Sequence, residues 1–387
     1  MIETTELSNA VLHCGDALDV LATLPDNSID LIATDPPYYR VKGLAWDRAW
    51  DTPTGFLAWI GLLADEWRRV LKPNGSLYCF ASPKMAARVE VEIGKRFEVL
   101  TRITWRKPPY STKAEMSRKE DLRAFFPASE GIIFAEHYGA DNAAKGESGY
   151  GAECDKLRGF VFEPLRAYLV AQMEAAGLKR SDFDIAWQKE RGSKGRMSPH
   201  WFGQSQFCGL PTIGHYEFFR RVAPGFFLRE YEDLRREYED LRRPFSVTAD
   251  VPYTDVWDFK TVPHRPGKHV CEKPLDLCEH IILASSRPGA VVLDSFVGSG
   301  AFGHAAVKHG RTFIGSDNDP HWISKSAERI AAAQRQPAPP PQASMFPSRD
   351  KLLRPKNATT QTTTKPAVTR GLFDAPDLLD ALDMAAD

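Results

Sequence analysis

No stretch of the 387-residue chain is apolar for long enough to cross a bilayer, so a membrane-embedded protein is not expected. The six cysteines, Cys14, Cys79, Cys154, Cys208, Cys271 and Cys278, lack the spacing of a disulfide framework, which points to a reducing, cytoplasmic setting rather than to secretion. An excess of one charge is missing as well. Fifty Lys and Arg stand against 51 Asp and Glu, a formal charge of −1, which excludes a protein that coats nucleic acid through uniform basicity. His269, Cys271, Cys278 and His280 bring nitrogen and sulfur ligands into one region, but their spacing matches no common zinc pattern, and no metal is expected. What the chain does have is 43% apolar residues, enough for a large core.

Two short motifs stand out in that background. Ser28-Ile-Asp-Leu-Ile-Ala-Thr34 reads as a buried strand and runs into Asp35-Pro36-Pro37-Tyr38, which places Asp35 at a strand's carboxyl end, where open α/β sheets bind ligands. The prolines fix the backbone and remove two amide donors, leaving carbonyls free to accept hydrogen bonds. An exocyclic amino nitrogen is a poor nucleophile because its lone pair is delocalised into the ring. The Asp35 carboxylate taking one N–H, and the Pro36 carbonyl the other, would draw the nitrogen toward tetrahedral geometry, while Tyr38 offers a face for a base turned out of its stack.

The quartet resembles that of the amino-group DNA methyltransferases. Their adenine-N6 members usually carry Asp-Pro-Pro-Tyr and their cytosine-N4 members more often begin with Ser. The resemblance implies methyl transfer to the N6 amino group of adenine, by base flipping and direct in-line transfer, with cytosine-N4 as the alternative.

The second motif is a glycine turn. Ala290-Val-Val-Leu-Asp294 is a strand pattern, Gly298 and Gly300 permit a tight turn with close backbone approach, and Ala301 to Lys308 can form the next helix. Arg311 to Asp317 reads as another strand, ending in a carboxylate suited to ribose hydroxyls. Gly298-Ser-Gly300-Ala-Phe-Gly303 also satisfies the dinucleotide fingerprint, which leaves an NAD-dependent oxidoreductase as a rival. A dinucleotide domain needs further strands after the acidic residue, however, and here one helix, Pro320 to Ala333, leads into a proline-rich tail. The missing strand must come from Val11 to Asp16, so the sheet closes only if its strands are permuted in sequence. Catalytic motif first, then an insert, then the glycine turn is the order of the β class of amino methyltransferases, whose cofactor is S-adenosylmethionine. By that resemblance Asp294 belongs to the cofactor site, Phe296, Gly298 and Gly300 border the methionine part of the cofactor, Asp317 its ribose and Asp16 its adenine, while Lys273-Pro274 closes over the methionine carboxylate.

Further strand patterns at Gly75 to Ala81, Val99 to Trp105 and Gly131 to Glu136, with helical patterns at Phe56 to Leu71 and Pro83 to Phe97, complete an α/β reading. The expectation is a Rossmann-like, circularly permuted methyltransferase sheet. It divides into a catalytic half (1–137), a mainly helical target-recognition insert (138–250), a cofactor half (251–333) and a disordered Pro/Gln/Thr-rich tail (334–387).

Local basic patches supply the missing phosphate contacts. Arg102 to Arg123 holds seven cations against three acids, and Trp187 to Gln206 four against one. The second patch interleaves cations, glycines, aromatics and amides, so Lys189, Arg191, Lys194, Arg196, His200, Trp201 and Gln204 are the expected contacts to double-stranded DNA. Phe162 to Ala176 and Arg180 to Trp187 look helical and suggest a helix-turn-helix-like reader, although a solvated basic loop is the plainer alternative. The repeat Arg229-Glu-Tyr-Glu-Asp-Leu-Arg235/Arg236-Glu-Tyr-Glu-Asp-Leu-Arg242 sets Tyr231, Leu234, Tyr238 and Leu241 on one seam. Glu232 with Arg236 and Glu239 with Arg243 then form i,i+4 pairs, as in a surface helix docked on the core or, less simply, a dimer seam. This repeat, with Leu122 to Glu130 and His137 to Asn142, resembles a phage or prophage branch of adenine methyltransferases and implies a solitary enzyme, monomeric or homodimeric. In the tail, Gln342-Ala-Ser-Met-Phe346 resembles peptides that dock on bacterial sliding clamps. A catalytically silent DNA-binding regulator is the remaining alternative.

Overall fold

The computed structural model describes residues 2–41, 48–107, 123, 125, 127–137, 162–192, 194–203, 209–247 and 252–336. Its centre is one nine-stranded sheet in the order β1-β2-β9-β8-β3-β4-β6-β5-β7. The strands are β1 (Glu3–Leu7), β2 (Ala10–Cys14), β3 (Ile29–Thr34), β4 (Leu71–Ala81), β5 (Glu98–Arg106), β6 (Ser129–Glu136), β7 (Val256–Asp258), β8 (Val291–Asp294) and β9 (Thr312–Asp317). From β2 through β9, β8 and β3 to β4 every pairing is parallel. β6 lies antiparallel to β4 and β5, and β1 antiparallel to β2. Although β8 comes some 260 residues later in the chain, β3 is hydrogen-bonded to it, as the permuted order requires.

Parallel strands are covered on both faces, which explains why β3 is apolar almost throughout. Leu31 and Ala33 point into one core with Tyr78 and Phe80, and Ile29 and Ile32 into the other with Leu77 and Cys79. The first core is roofed by α9 (Leu275–Ser285), α10 (Ala301–Lys308) and α11 (Pro320–Gln334), through Leu277, Ile281, Phe302, Ala305 and Ile330. The second is roofed by α1 (Ala17–Thr23), α2 (Pro53–Val70) and α3 (Ala86–Ile93). In α2, Thr52 caps the free amide of Gly55 and Pro53 opens the first turn, while Phe56, Ile60, Leu63, Ala64, Trp67 and Val70 form the helical stripe buried on the sheet.

A separate aromatic core joins the helices between β6 and β7: α4 (Glu163–Ala175), α5 (Arg180–Arg191), α6 (Ser198–Phe202), α7 (Ile213–Val222) and α8 (Tyr231–Leu241). Phe183, Phe202, Phe219 and Phe227 are each wholly buried in it, with ring centroids of Phe183 and Phe202 4.9 Å apart. α4 and α5 form where the sequence pattern places helices. One expectation for this region changes. The heptad repeat forms α8 and docks through Leu234, but its ion pairs are i,i+3, Glu232 with Arg235 and Glu239 with Arg242. The helix ends at Leu241, so Arg243 leaves the helical face and reaches the fully buried Glu136 at the end of β6 instead.

Candidate active site

The carboxyl ends of β2, β9, β8 and β3 meet at a cavity of about 350 Å³. Of the residues expected in catalysis and cofactor binding, all but Gly300 line it. Gly298 (φ +45°) and Gly300 (φ +73°) occupy the left-handed region that favours glycine, and Gly300 is the N-cap of α10. A Cβ on Gly298 would meet the His269 ring at 3.2 Å, and one on Gly300 would meet Cα and Cβ of Ser326 at 3.1 and 3.0 Å. Ser326 Oγ donates to the Gly298 carbonyl at 2.7 Å, which ties α11 to the turn.

Carboxylates hold this turn from beneath. Asp294 accepts from Thr34 Oγ1 (2.9 Å) and the Phe296 amide (3.1 Å), thereby bridging β3 and β8. Burial pushes its carboxyl up to about 7. Asp317 takes the Gly298 amide on one oxygen (2.9 Å) and the Asp319 amide on the other (3.0 Å). Burial raises it too, and those two amides work against the rise. Asp16 is exposed and caps α1 through the Leu18 amide at 2.9 Å.

The quartet's side of the cavity holds more charge than the motif alone announces. Asp35 Oδ2 is ion-paired with the Lys273 ammonium, which also lies 3.4 Å from Glu130 Oε2. Tyr38 donates its hydroxyl to the same Glu130 oxygen at 3.1 Å, and Lys107 pairs with the other. Lys273, assigned by resemblance to the methionine carboxylate, is thus engaged with Asp35 and Glu130. Burial raises the Asp35 carboxyl, opposed by Lys273. The second oxygen, Asp35 Oδ1, is buried and has no hydrogen-bond partner among the described residues.

Several contributors were not anticipated from sequence. Glu130 is the second residue of β6, whose antiparallel direction carries it to the same sheet edge as the ends of the parallel strands; that signal exists only once strand directions are known. Trp50 and Trp59 extend the expected Phe296 into an aromatic wall, with centroids 4.5 Å apart for the tryptophans and 5.6 Å for Trp59 and Phe296. His269 packs edge-on against Trp322 at 4.5 Å and covers Gly298.

Residues 29–328 match the family model for N6/N4 DNA methylases, which takes in both motifs and the strands that join them. The chain is a member of this family. Over 338 residues the methylase is 26% identical to the DNA adenine methyltransferase YhdJ of Escherichia coli K12, covering 86% of each chain. It is 26% identical over 331 residues to the type II methyltransferase M.Cfr9I of Citrobacter freundii, covering 85% of this chain and 90% of that one. Among solved structures it resembles the PvuII DNA methyltransferase, described as cytosine-N4-specific, at 14% identity with a TM-score of 0.48 over 84% of this chain and 86% of that one.

Enzymes of the family take their methyl group from S-adenosylmethionine. The cavity of this methylase fits that molecule: a side-chain-free glycine turn gives close backbone approach, the aromatic wall offers an apolar face, and Asp16 and Asp317 place acceptors beside the turn.

Of the expected DNA contacts, Lys189, Arg191, Lys194, Arg196 and His200 are exposed on α5, α6 and the loop between them, and Trp201 is half-buried against His215 at 5.3 Å. Gln204 lies outside the described residues, as does the segment Gln342 to Phe346. Asp184 organises the loop, its buried carboxylate accepting from the amides of Met197 and Ser198 (2.8 Å each) and from Ser198 Oγ (2.7 Å). In the other basic stretch, Arg102 is paired with Glu90 and Arg106 with Asp258, at 2.7 and 2.6 Å, so these two cations are spent within the protein. Among the described residues no His/Cys/Asp/Glu group is arranged to hold a metal. Cys278 and His280 are buried in α9, with His280 against Trp257 at 4.6 Å. No helix among the described residues is long and apolar enough to cross a membrane.

Proposed function

We propose that this methylase modifies the N6 amino group of adenine in double-stranded DNA, and that it belongs to the β class, with the helical region of α4 to α8 reading the target. The observation that carries the reading is the orphan acceptor Asp35 Oδ1, buried at the cavity wall beside Tyr38. A buried carboxylate oxygen without a donor is costly to leave unsatisfied, and an amino N–H satisfies it. S-adenosylmethionine supplies an electrophilic methyl group on a positively charged sulfur. Asp35 Oδ1 accepts one N–H of the amino group and holds that nitrogen with its lone pair free for the methyl group the bound cofactor would supply, and the proton given up by the methylated nitrogen would leave along the hydrogen bond to Asp35 Oδ1. Tyr38, fixed through its hydroxyl to Glu130, presents a rigid ring to a base that has left the helix, at an unstacking cost of a few kcal/mol. The preference for adenine is supported by Asp at the head of the quartet and by the likeness to an enzyme named as an adenine methyltransferase.

Incubation of the protein with unmethylated DNA and S-adenosylmethionine, followed by nucleoside mass spectrometry, tests the reading. N6-methyladenine is expected. N4-methylcytosine would keep the chemistry and overturn the base, and no methylated nucleoside under saturating cofactor would favour a silent DNA-binding regulator. Asp35→Ala should lower turnover by about a thousandfold while S-adenosylmethionine still binds.

A further inference from the structure

We propose that Lys273 is a positioning residue for the methyl transfer: it occupies Asp35 Oδ2, reserves Oδ1 for the target amino group, and with Glu130 and Lys107 forms a buried clamp that fixes both Asp35 and Tyr38. The proposal rests on the function assigned above.

Four charges of alternating sign are linked pair by pair, Lys107 to Glu130, Glu130 to Lys273 and Lys273 to Asp35. The side chains of Lys273, Glu130 and Asp35 are 7%, 13% and 15% exposed. Burying ion pairs is a poor way to stabilise a fold, because desolvation offsets most of the Coulombic gain and apolar residues of similar volume serve as well or better. A device of this kind at a cavity wall therefore calls for a reason in the chemistry. Glu130 links the two halves: Oε2 receives both the Tyr38 hydroxyl and Lys273, while Oε1 pairs with Lys107. The Lys273 ammonium also lies 5.5 Å from the Tyr38 ring centroid and 4.9 Å from that of Phe80, so an aromatic floor holds it in place.

The groups that bear on Asp35 come from several elements. Burial raises its carboxyl, Lys273 draws it down through its charge and its hydrogen bond, Glu130 pushes it up, and the neighbouring Tyr38 hydroxyl draws it down. Asp294 at the end of β8 and Cys79 on β4 are also within electrostatic reach of Asp35, and Cys271 bears on Tyr38 and Lys273. The ammonium stays charged because Asp35 and Glu130 overcome the cost of its burial. Removing Lys273 leaves two neighbouring carboxylates with one cation, so Asp35 must titrate at higher pH. Removing the charge of Glu130 has the opposite sign, since a like charge disappears while Lys273 remains.

Single-turnover methylation by wild type, Lys273→Met, Lys273→Arg and Glu130→Gln, measured from pH 5.5 to 9 with S-adenosylmethionine on a DNA that wild type methylates, tests this alongside calorimetric binding of the cofactor. Lys273→Met should move the acid limb of the rate profile up by about one pH unit or more, roughly tenfold in rate on that limb, with cofactor affinity within about threefold of wild type. Lys273→Arg should restore most of the position, and Glu130→Gln should move the limb down. An unmoved limb in both charge-removing variants overturns the proposal. So does a Lys273→Met protein with an unmoved limb and cofactor affinity weakened tenfold or more, which would return Lys273 to the methionine carboxylate. If Lys273→Met does not fold, the direction of the Glu130→Gln shift decides. A wild type that yields no methylated nucleoside removes the functional reading itself, a result distinct from an unmoved limb.

Discussion

Gly298 and Gly300 stand two residues apart in one turn, yet their replacement by alanine should have different consequences. At Gly300, φ is +73°, so alanine costs about 1–2 kcal/mol in backbone conformation alone. Its Cβ would also stand 3.1 Å from Ser326 Cα, a backbone atom of α11, and that helix is fixed in the core through Ile330. Overpacking against a part that cannot give adds about 1–3 kcal/mol, for a total of about 2–5 kcal/mol. At Gly298, φ is +45° and the obstacle at 3.2 Å is the edge of the His269 ring. A ring on the segment that runs to Lys273 can move, so the stability cost stays near the backbone penalty of about 1–2 kcal/mol. The cover over the turn opens, however, and binding should suffer instead. Urea unfolding gives the first quantity and calorimetry with S-adenosylmethionine the second. The reasoning fails if Gly300→Ala unfolds at the wild-type urea concentration, or if Gly298→Ala proves the less stable of the two.

Asp294 makes a prediction in pH. Burial lifts its carboxyl from 3.8 to about 7, so between those values the folded protein keeps a proton that the unfolded chain releases. Stability from this group is therefore lost as pH rises from about 4 to 7, by up to about 1.4 kcal/mol per pH unit, and is level above. Asp294→Asn should remove that part of the slope in urea titrations across the window, and an identical slope in wild type and variant would refute it. Arg243→Met should cost about 3–5 kcal/mol, because it leaves Glu136, with a side chain 0% exposed, without its cation. Adding Glu136→Gln should recover part of that loss, and additive single costs in the double variant would count against the pair. Lys194→Ala and Arg196→Ala should each weaken DNA binding about equally for all sequences and reduce the slope of log K against log salt by about one. Fluorescence anisotropy at several salt concentrations measures this, and an unchanged slope takes these side chains out of the interface.

The parts of the fold that sequence discloses are those with one dominant physical cause. β3 is covered on both faces and so appears as a run that is apolar apart from Asp30 and Thr34, and α10 is capped by a glycine and spans residues 301–308 as the pattern indicates. β1 is different: Glu-Thr-Thr-Glu-Leu is almost wholly exposed and is a strand only because β2 offers it an edge. β7 has three residues and owes its form to β5 in the same way. β4 starts at Leu71, earlier than the run from Gly75 suggests, because Ile29 pairs with Leu71 before the register shifts to Leu31 with Ser76. The heptad repeat misleads at its end, where helix periodicity pairs Glu239 with Arg243 but the helix has already stopped.

The active site divides along the same line. Asp35 and Tyr38 are legible because a contiguous motif joins them to a strand end, and the glycines because only glycine fits the turn. Lys273 is 238 residues from Asp35 and Glu130 is the second residue of a strand of opposite direction, so no spacing rule joins them. In the proposed mechanism their effect is nevertheless direct. A carboxylate offers two oxygens, and a motif cannot say which one is left for the substrate. Lys273 takes Oδ2, Glu130 holds Lys273 and Tyr38 together, and Oδ1 is what remains. In the proposed mechanism the quartet names the acceptor, while the charges behind it decide which oxygen accepts and at what pH it can.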